Sequence, residues 1–309
     1  MESKNDSRAA CMPAAEGVRF DFGDASACAV RNEARDIAVR VQRRGGAARA
    51  AVERVPLVRG AARLFFGIAD FFASLQSAER LDPQRTVRGG RGLRRFAELF
   101  STTPQALVAL GVGIAVPAIL LALMVGLPAA AEALLLQIDG VPRFAVNTIC
   151  CALRMAGAVL GVYSVCRLKL IRRMCMYRGA ACKVLNAYEA YGPELTPEEV
   201  VLSPRLTDRS DGAFLIAVLL VALVAFACHR TDGLAAQLAY RTGALLGSAA
   251  VVGEIVRALE RAHPNGIGAT LRVPLVSLQH LFTIEPNAQM IEVALCAFRA
   301  AYEADAEEG

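Results

Sequence analysis

Four stretches of the chain are apolar over membrane-scale lengths. The first, 106–127, reads ALVALGVGIAVPAILLALMVGL, 22 residues without a charge. The second, 144–166, is interrupted by Arg154. The third, 213–228, is short and dense, and the fourth, 234–256, is weaker and carries Arg241 and Glu254. A helix needs about 20 mostly apolar residues to cross a hydrocarbon core. The pattern therefore predicts an all-α membrane protein: four transmembrane helices with a cytoplasmic α or α+β portion.

The flanking segments divide into an Arg-rich N-terminal region over 1–100, a four-span region over 101–256 with a loop at 167–212, and a tail over 257–309. In the first, Leu57, Ala61, Leu64, Phe65, Ile68, Phe71, Phe72 and Leu75 recur at helical spacing and predict an amphipathic helix over 57–75. It either lies on the cytoplasmic leaflet or packs on its own soluble domain. Residues 18–41 predict one or two strands with a turn near 22–24. In the tail, Asn287 suits the cap of a helix over 287–304, whose Ile291, Ala294, Leu295, Phe298 and Tyr302 share a face.

Charge gives this layout a direction. Arg85, Arg88, Arg91, Arg94 and Arg95 precede the first span, and the segment between the first two spans, 128–142, holds no Lys or Arg before Pro142. The 167–212 loop is again basic, and Arg257 and Arg261 follow the last span. By the positive-inside rule both termini and the 167–212 loop face the cytoplasm, which places the chain in an inner membrane. Glu2, Lys4, Asp6 and Arg8 break up the start, so no cleaved export signal is expected. The Arg85–Arg95 cluster lacks interleaved aromatics. It is therefore read as contacting anionic lipid headgroups or as a topology signal, and no nucleic-acid partner is expected.

Composition agrees. Hydrophobic residues make up 55% of the 309, with a formal net charge of +5 and a mean hydropathy of +0.41. Nine cysteines (Cys11, Cys28, Cys150, Cys151, Cys166, Cys175, Cys182, Cys228 and Cys296) contain no CxxC pair and read as small buried hydrophobes. His229, His263 and His280 are scattered, and no HExxH, GxSxG or phosphate-loop motif occurs. No catalytic site is visible and no cofactor is expected. The remaining candidates are the intramembrane charges Arg154, Arg241 and Glu254. Charge at mid-bilayer costs about 2.5–3.5 kcal/mol and so pairs or lines a polar cavity. A polar cleft is one reading of these three; a structural ion pair or interfacial placement is the favoured one.

Several segments, in order, carry a resemblance. AEGV at 15–18, VPLVRG at 55–60, Asn147, Arg154 and Tyr163 in the second span, RRMCMYRGAACK at 172–183, GEIVR at 253–257 and LQHLFTIEPNAQMIEVA at 278–294 stand in sequence. Together they resemble the YqhQ-like family of bacterial multipass membrane proteins, whose members are described as predicted metal-dependent enzymes of unknown function. The last segment is the most specific. The resemblance implies a metal site built on the family's YHGAEHK segment and a later HPRCGTSF segment. This chain departs from both. Arg178, Ala181 and Cys182 stand where the first has His, Glu and His, and Thr207 and Ser210 stand where the second has His and Cys. Asp208, Asp211 and Cys182 beside an arginine would make a poor site. The expectation is a degenerate metal site in a non-catalytic scaffold or binding protein that meets an unknown protein partner through its cytoplasmic face. The alternative is a membrane-bound metal-dependent enzyme acting at the cytoplasmic leaflet.

Overall fold

The computed structural model describes residues 10–14, 16–23, 25–32, 35–43, 52, 55–81, 130–131, 134–135, 137, 142–207, 211–228, 234–261, 273–274 and 276–307. The chain opens with strands β1 (Ala10–Ala14), β2 (Gly17–Phe22), β3 (Ala25–Arg31) and β4 (Ile37–Arg43). They pair antiparallel in the order β1-β2-β3-β4. This sheet corrects the all-α expectation. Four strands stand where one or two were expected, beginning at Ala10.

Both faces of the sheet are covered, and strand alternation decides which side chain meets which layer. Val18, Phe20 and Phe22 of β2, with Ala27 and Ala29 of β3, join a core with the helices Lys169–Tyr191 and Ala288–Ala306. The opposite face presents Ala14, Cys28 and Val30 to Ala78 of helix α1 (Val58–Leu81). Arg19 lies on that second face almost fully buried. Its Nε donates to the Asp21 carboxylate and to Ser26 Oγ, both at 2.8 Å, so the charge is paired and hydrogen-bonded. The Ser74 hydroxyl of α1 donates to the Pro13 carbonyl at 3.0 Å and ties the helix to β1.

The remaining helices are α2 (Arg143–Cys166), α3 (Lys169–Tyr191), α4 (Pro197–Leu202), α5 (Asp211–Cys228), α6 (Leu234–Arg261) and α7 (Ala288–Ala306), with a 3-10 turn at Leu278–Leu281. Three boundaries have a clear local cause. Gly192 ends α3 at φ 90°, a left-handed conformation suited to glycine. Thr196 caps α4 in a reciprocal box with Glu199. The Asn287 side chain accepts from the Met290 backbone N–H and starts α7. The Phe298 ring is fully buried and meets Phe20, Phe22, Tyr188 and Tyr302 at centroid distances of 5.2–6.1 Å.

A second core joins Phe214 and Val218 of α5 to Ala249, Val252 and Val256 of α6, with Leu64 of α1 packed against it. Here the four-span expectation is corrected. Among the described residues two helical stretches are long and apolar enough to cross a membrane, Thr148–Cys166 and Ala239–Leu259. The apolar part of α5, Gly212–Phe226, is too short, and several of its side chains (Ala213, Phe214, Val218, Ala222) are buried against neighbours. The expected first span, 106–127, lies outside the described residues, as do Arg85, Arg88, Arg91, Arg94 and Arg95.

Candidate functional site

Helix α3 carries the positions where the resemblance places a metal site. Its buried face is made of small residues, Ala180, Ala181 and Ala187, beside Tyr177 and Val184. Small side chains let three other segments approach closely. The extended segment 283–287 crosses at Gly179, where the Ile284 N–H donates to the Cys175 carbonyl at 3.2 Å. A Cβ on Gly179 would stand 2.2 Å from the Ile284 carbonyl oxygen, so only glycine fits there. The 203–207 segment crosses about two turns later, held by Asn186 Nδ2, which donates to the carbonyls of Pro204 and Leu206 at 2.7 Å each. The start of α5 completes the group, since a Cβ on Gly212 would meet the Phe282 ring and, at 3.2 Å, an Arg178 nitrogen.

Arg178 and Cys182 therefore sit in one buried neighbourhood with Phe282. The Arg178 guanidinium carbon lies 5.0 Å from the centre of the Phe282 ring, in cation–π range. Thr207 is 3% exposed, and its backbone is clamped by the buried Gln279 amide: Nε2 donates to the Thr207 carbonyl at 2.6 Å, and Oε1 accepts from the Thr207 N–H at 3.2 Å. Ala181 faces the sheet core. Ser210 and Asp208 lie outside the described residues, and the Asp211 side chain is likewise not described. The donor chemistry here does not fit a divalent metal. A fixed guanidinium charge occupies the position where the resemblance places the first ligand, and Ala181 offers no donor atom. Among the described residues no three His, Cys, Asp or Glu side chains converge.

At the rim, Glu285 pairs with Lys183 at 2.8 Å and with Arg205 at 3.2 Å. The Lys183 hydrogen bond, more than any other contact, holds the Glu285 carboxyl below the usual carboxylate range. Lys183 also donates to the Val201 carbonyl at 2.8 Å. The Cys182 thiol is drawn down to about 7, chiefly because the Cys11 side chain hydrogen-bonds it, with the Arg178 charge adding to the effect against full burial. Cys175 is pushed well up by its hydrogen bond with Cys166 and by burial.

The three intramembrane charge candidates do not come together. Glu254 is held by Arg59 at the start of α1: Arg59 Nε donates to it at 2.8 Å, Arg59 Nη2 pairs with its other oxygen, and the Leu57 N–H donates at 2.8 Å. Glu254 thus makes an ion pair with Arg59 across the α1–α6 crossing. Arg154 is half-buried on α2 without an ionic partner among the described residues, and Arg241 is exposed on α6. Sequence reasoning missed Gln279, Phe282 and Cys11. Gln279 did leave a signal, a polar amide inside the apolar LQHLF run. Nothing in the sequence links Cys11 to Cys182, because 170 residues of chain separate positions that only the fold joins.

The family described as "Protein of unknown function (DUF1385)" matches residues 55–304. The curated "Uncharacterized protein YqhQ" of Bacillus subtilis (strain 168) is 28% identical over 137 residues, which is 44% of this chain and 43% of that protein. The matched part thus spans less than half the length of that relative. No solved structure matches.

Proposed function

The chain belongs to the DUF1385 family, and on that premise we propose that it is a membrane-embedded, non-catalytic scaffold or binding protein. It works through the module formed by the sheet, α3, α4 and α7. The observation that carries the membrane reading is how little its apolar helices are covered. Thr148–Cys166 and Ala239–Leu259 have mean hydropathies of 1.8 and 1.4, yet only 28% of each is buried within the protein. A soluble core helix of that length hides its apolar side chains. Here Ile149, Leu160, Leu246, Val251 and Ile255 remain exposed. Exposed apolar area on that scale calls for lipid or a partner.

Arginines at the C-terminal end of α2 support a cytoplasmic placement for the module, since Arg167, Arg172 and Arg173 follow Cys166. In the same reading the N-terminal region lies in the cytoplasm of an inner-membrane protein, and Arg85, Arg88, Arg91, Arg94 and Arg95 meet anionic headgroups. Arg178 supports a non-catalytic role, since its charge stands where a metal-dependent relative would need a neutral donor.

Two measurements test this. Carbonate extraction of membranes should leave the full chain in the pellet, and recovery in the aqueous fraction would end the membrane reading. Elemental analysis of detergent-purified protein should give sub-stoichiometric zinc. One zinc per chain, lost on Cys182→Ser, would overturn the degenerate-site reading and revive that of a metal-dependent enzyme acting at the cytoplasmic leaflet.

A further inference from the structure

The sheet has two edges, β1 and β4, and they are finished differently. The ladder decides which backbone groups point outwards. The Arg31 N–H donates to the Glu16 carbonyl beside β2 at 3.3 Å. Odd-numbered residues of β3 therefore turn their backbone groups towards β2, and even-numbered ones towards β4. The pairs Val30–Ala38, Cys28–Arg40 and Ser26–Gln42 then carry the β3–β4 hydrogen bonds. On β4 this leaves the N–H and C=O groups of Ile37, Val39 and Val41 pointing away from the sheet. The same alternation carried across the Met12–Arg19 pair turns those of Cys11 and Pro13 outwards on β1.

The β1 edge is closed. Pro13 has no N–H to offer, and its carbonyl already accepts from the Ser74 hydroxyl. The β4 edge is open: among the described residues β3 is the only strand that pairs with it, and no proline interrupts its IAVRVQR sequence. Its side chains alternate. Ile37, Val39 and Val41 share the face of Ala27 and Ala29. Ile37 packs on the core there, while Val39 and Val41 stay 41% and 46% exposed. Arg40 is exposed on the opposite face, and Arg43 is exposed at the end of the strand. An uncovered edge is a template for another strand, and these arginines select which. A second copy would bring its own Arg40 and Arg43, and like charges across a strand pair destabilise it. An acidic segment would meet them with opposite charge.

We propose that β4 binds an extended acidic segment of a partner protein as an added strand of the sheet. The segment's backbone pairs with the outward groups of Ile37, Val39 and Val41. Apolar side chains at alternate positions of the segment cover Val39 and Val41. The carboxylates between them fall on the other face, beside Arg40. The main-chain pairing holds the segment in place, and the alternation of apolar and acidic side chains selects it. This gives the partner of the scaffold reading a chemistry, and it rests on that reading.

The test is fluorescence anisotropy with the full chain in mild detergent and a labelled, end-blocked peptide of alternating Val and Glu. The peptide should bind saturably. A Val–Lys peptide, and a Val–Glu peptide N-methylated on its Val residues, should each bind at least about tenfold more weakly. Val39→Pro removes an outward N–H and no bond to β3. It should weaken the Val–Glu peptide by about the same factor while leaving the unfolding midpoint near that of the parent chain. Arg40→Glu, at an exposed position, should shift the preference to the Val–Lys peptide, and it provides an independent arm if the proline variant fails to fold. The proposal is overturned if the methylated peptide binds as well as the unmodified one, or if Arg40→Glu leaves the preference unchanged. It is also overturned if the chain dimerises and Val39→Pro dissolves the dimer, since the edge would then belong to a second copy. Zinc-loaded protein that binds the Val–Glu peptide would end the scaffold reading and leave the β4 edge standing. Zinc-free protein that ignores the peptide would do the reverse.

Discussion

Gly253 of α6 lies against Gly60 of α1 so closely that a Cβ on Gly253 would stand 2.7 Å from the Gly60 Cα, and one on Gly60 would stand 2.1 Å from the Ala249 carbonyl oxygen. The Arg59–Glu254 pair locks the same crossing from the next residue on each helix. Alanine at either glycine would gain about 1 kcal/mol in helix propensity. Overpacking against backbone that cannot rotate away costs about 1–3 kcal/mol, and at these distances the clash dominates. Gly60→Ala and Gly253→Ala should both lower the midpoint of thermal unfolding in detergent. Gly67→Ala, on the same helix with nothing within 4 Å of its Cβ, should raise it. A rise in all three would show that the helices do not cross here.

Gln279→Ala should cost about 2–3 kcal/mol. It removes both partners of the buried Thr207 backbone and leaves a donor and an acceptor unsatisfied. Gln279→Glu should not rescue it, because a carboxylate cannot donate to the Thr207 carbonyl. Chemical denaturation reads both changes, and a wild-type midpoint for Gln279→Ala would dismiss the clamp.

Phe298→Ala should cost about 3–5 kcal/mol, since this ring is fully buried at the centre of the aromatic cluster. Phe298→Leu should recover most of the loss. Hydrogen exchange should then show β2 and α7 losing protection together, because both pack on that ring. Exchange confined to α7 would mean that the sheet has a separate core.

Glu285 gives a pH dependence with a definite sign. Its folded-state position is depressed by Lys183 and then by Arg205, so the folded protein favours the ionised form. That stability is present above the ordinary carboxylate range and is lost as pH falls through the depressed folded value. The carboxylate is 58% exposed, so solvent screening keeps the effect small. Unfolding midpoints from neutral pH to about pH 3 should fall less steeply in Glu285→Gln than in the parent chain. Parallel curves would assign the acid sensitivity elsewhere.

Elements that bury a single stripe were legible in the sequence. The Leu57–Leu75 pattern lies on α1, and the Asn287 cap sits at the head of α7. The sheet was legible only in part: the β2–β3 hairpin and its turn at Gly23 lie within the strands expected over 18–41, but its full extent was hidden, because β2 and β3 are covered on both faces and lose the apolar–polar alternation that marks a half-exposed strand. β3 is also rich in Ala, and the buried Arg19 of β2 mimics a solvent position until Asp21 and Ser26 are seen to satisfy it. α5 was misread because apolar density alone does not separate a span from a core helix; its length and its buried Phe214 and Val218 do. At the site, residue identities could be read at Arg178 and Cys182. Their surroundings could not, since Phe282, Gln279 and Cys11 arrive from remote parts of the chain.

Helix α1 runs from the second core to the back face of the sheet. Its first turns, at Gly60 and Leu64, pack on α5 and α6, and its last turns, at Ser74 and Ala78, grip the sheet. With 24 residues it is about 36 Å long. It thus acts as a girder riveted at each end: a push or twist applied to the strands must reach the α5–α6 pair along its axis, and neither half can yield alone.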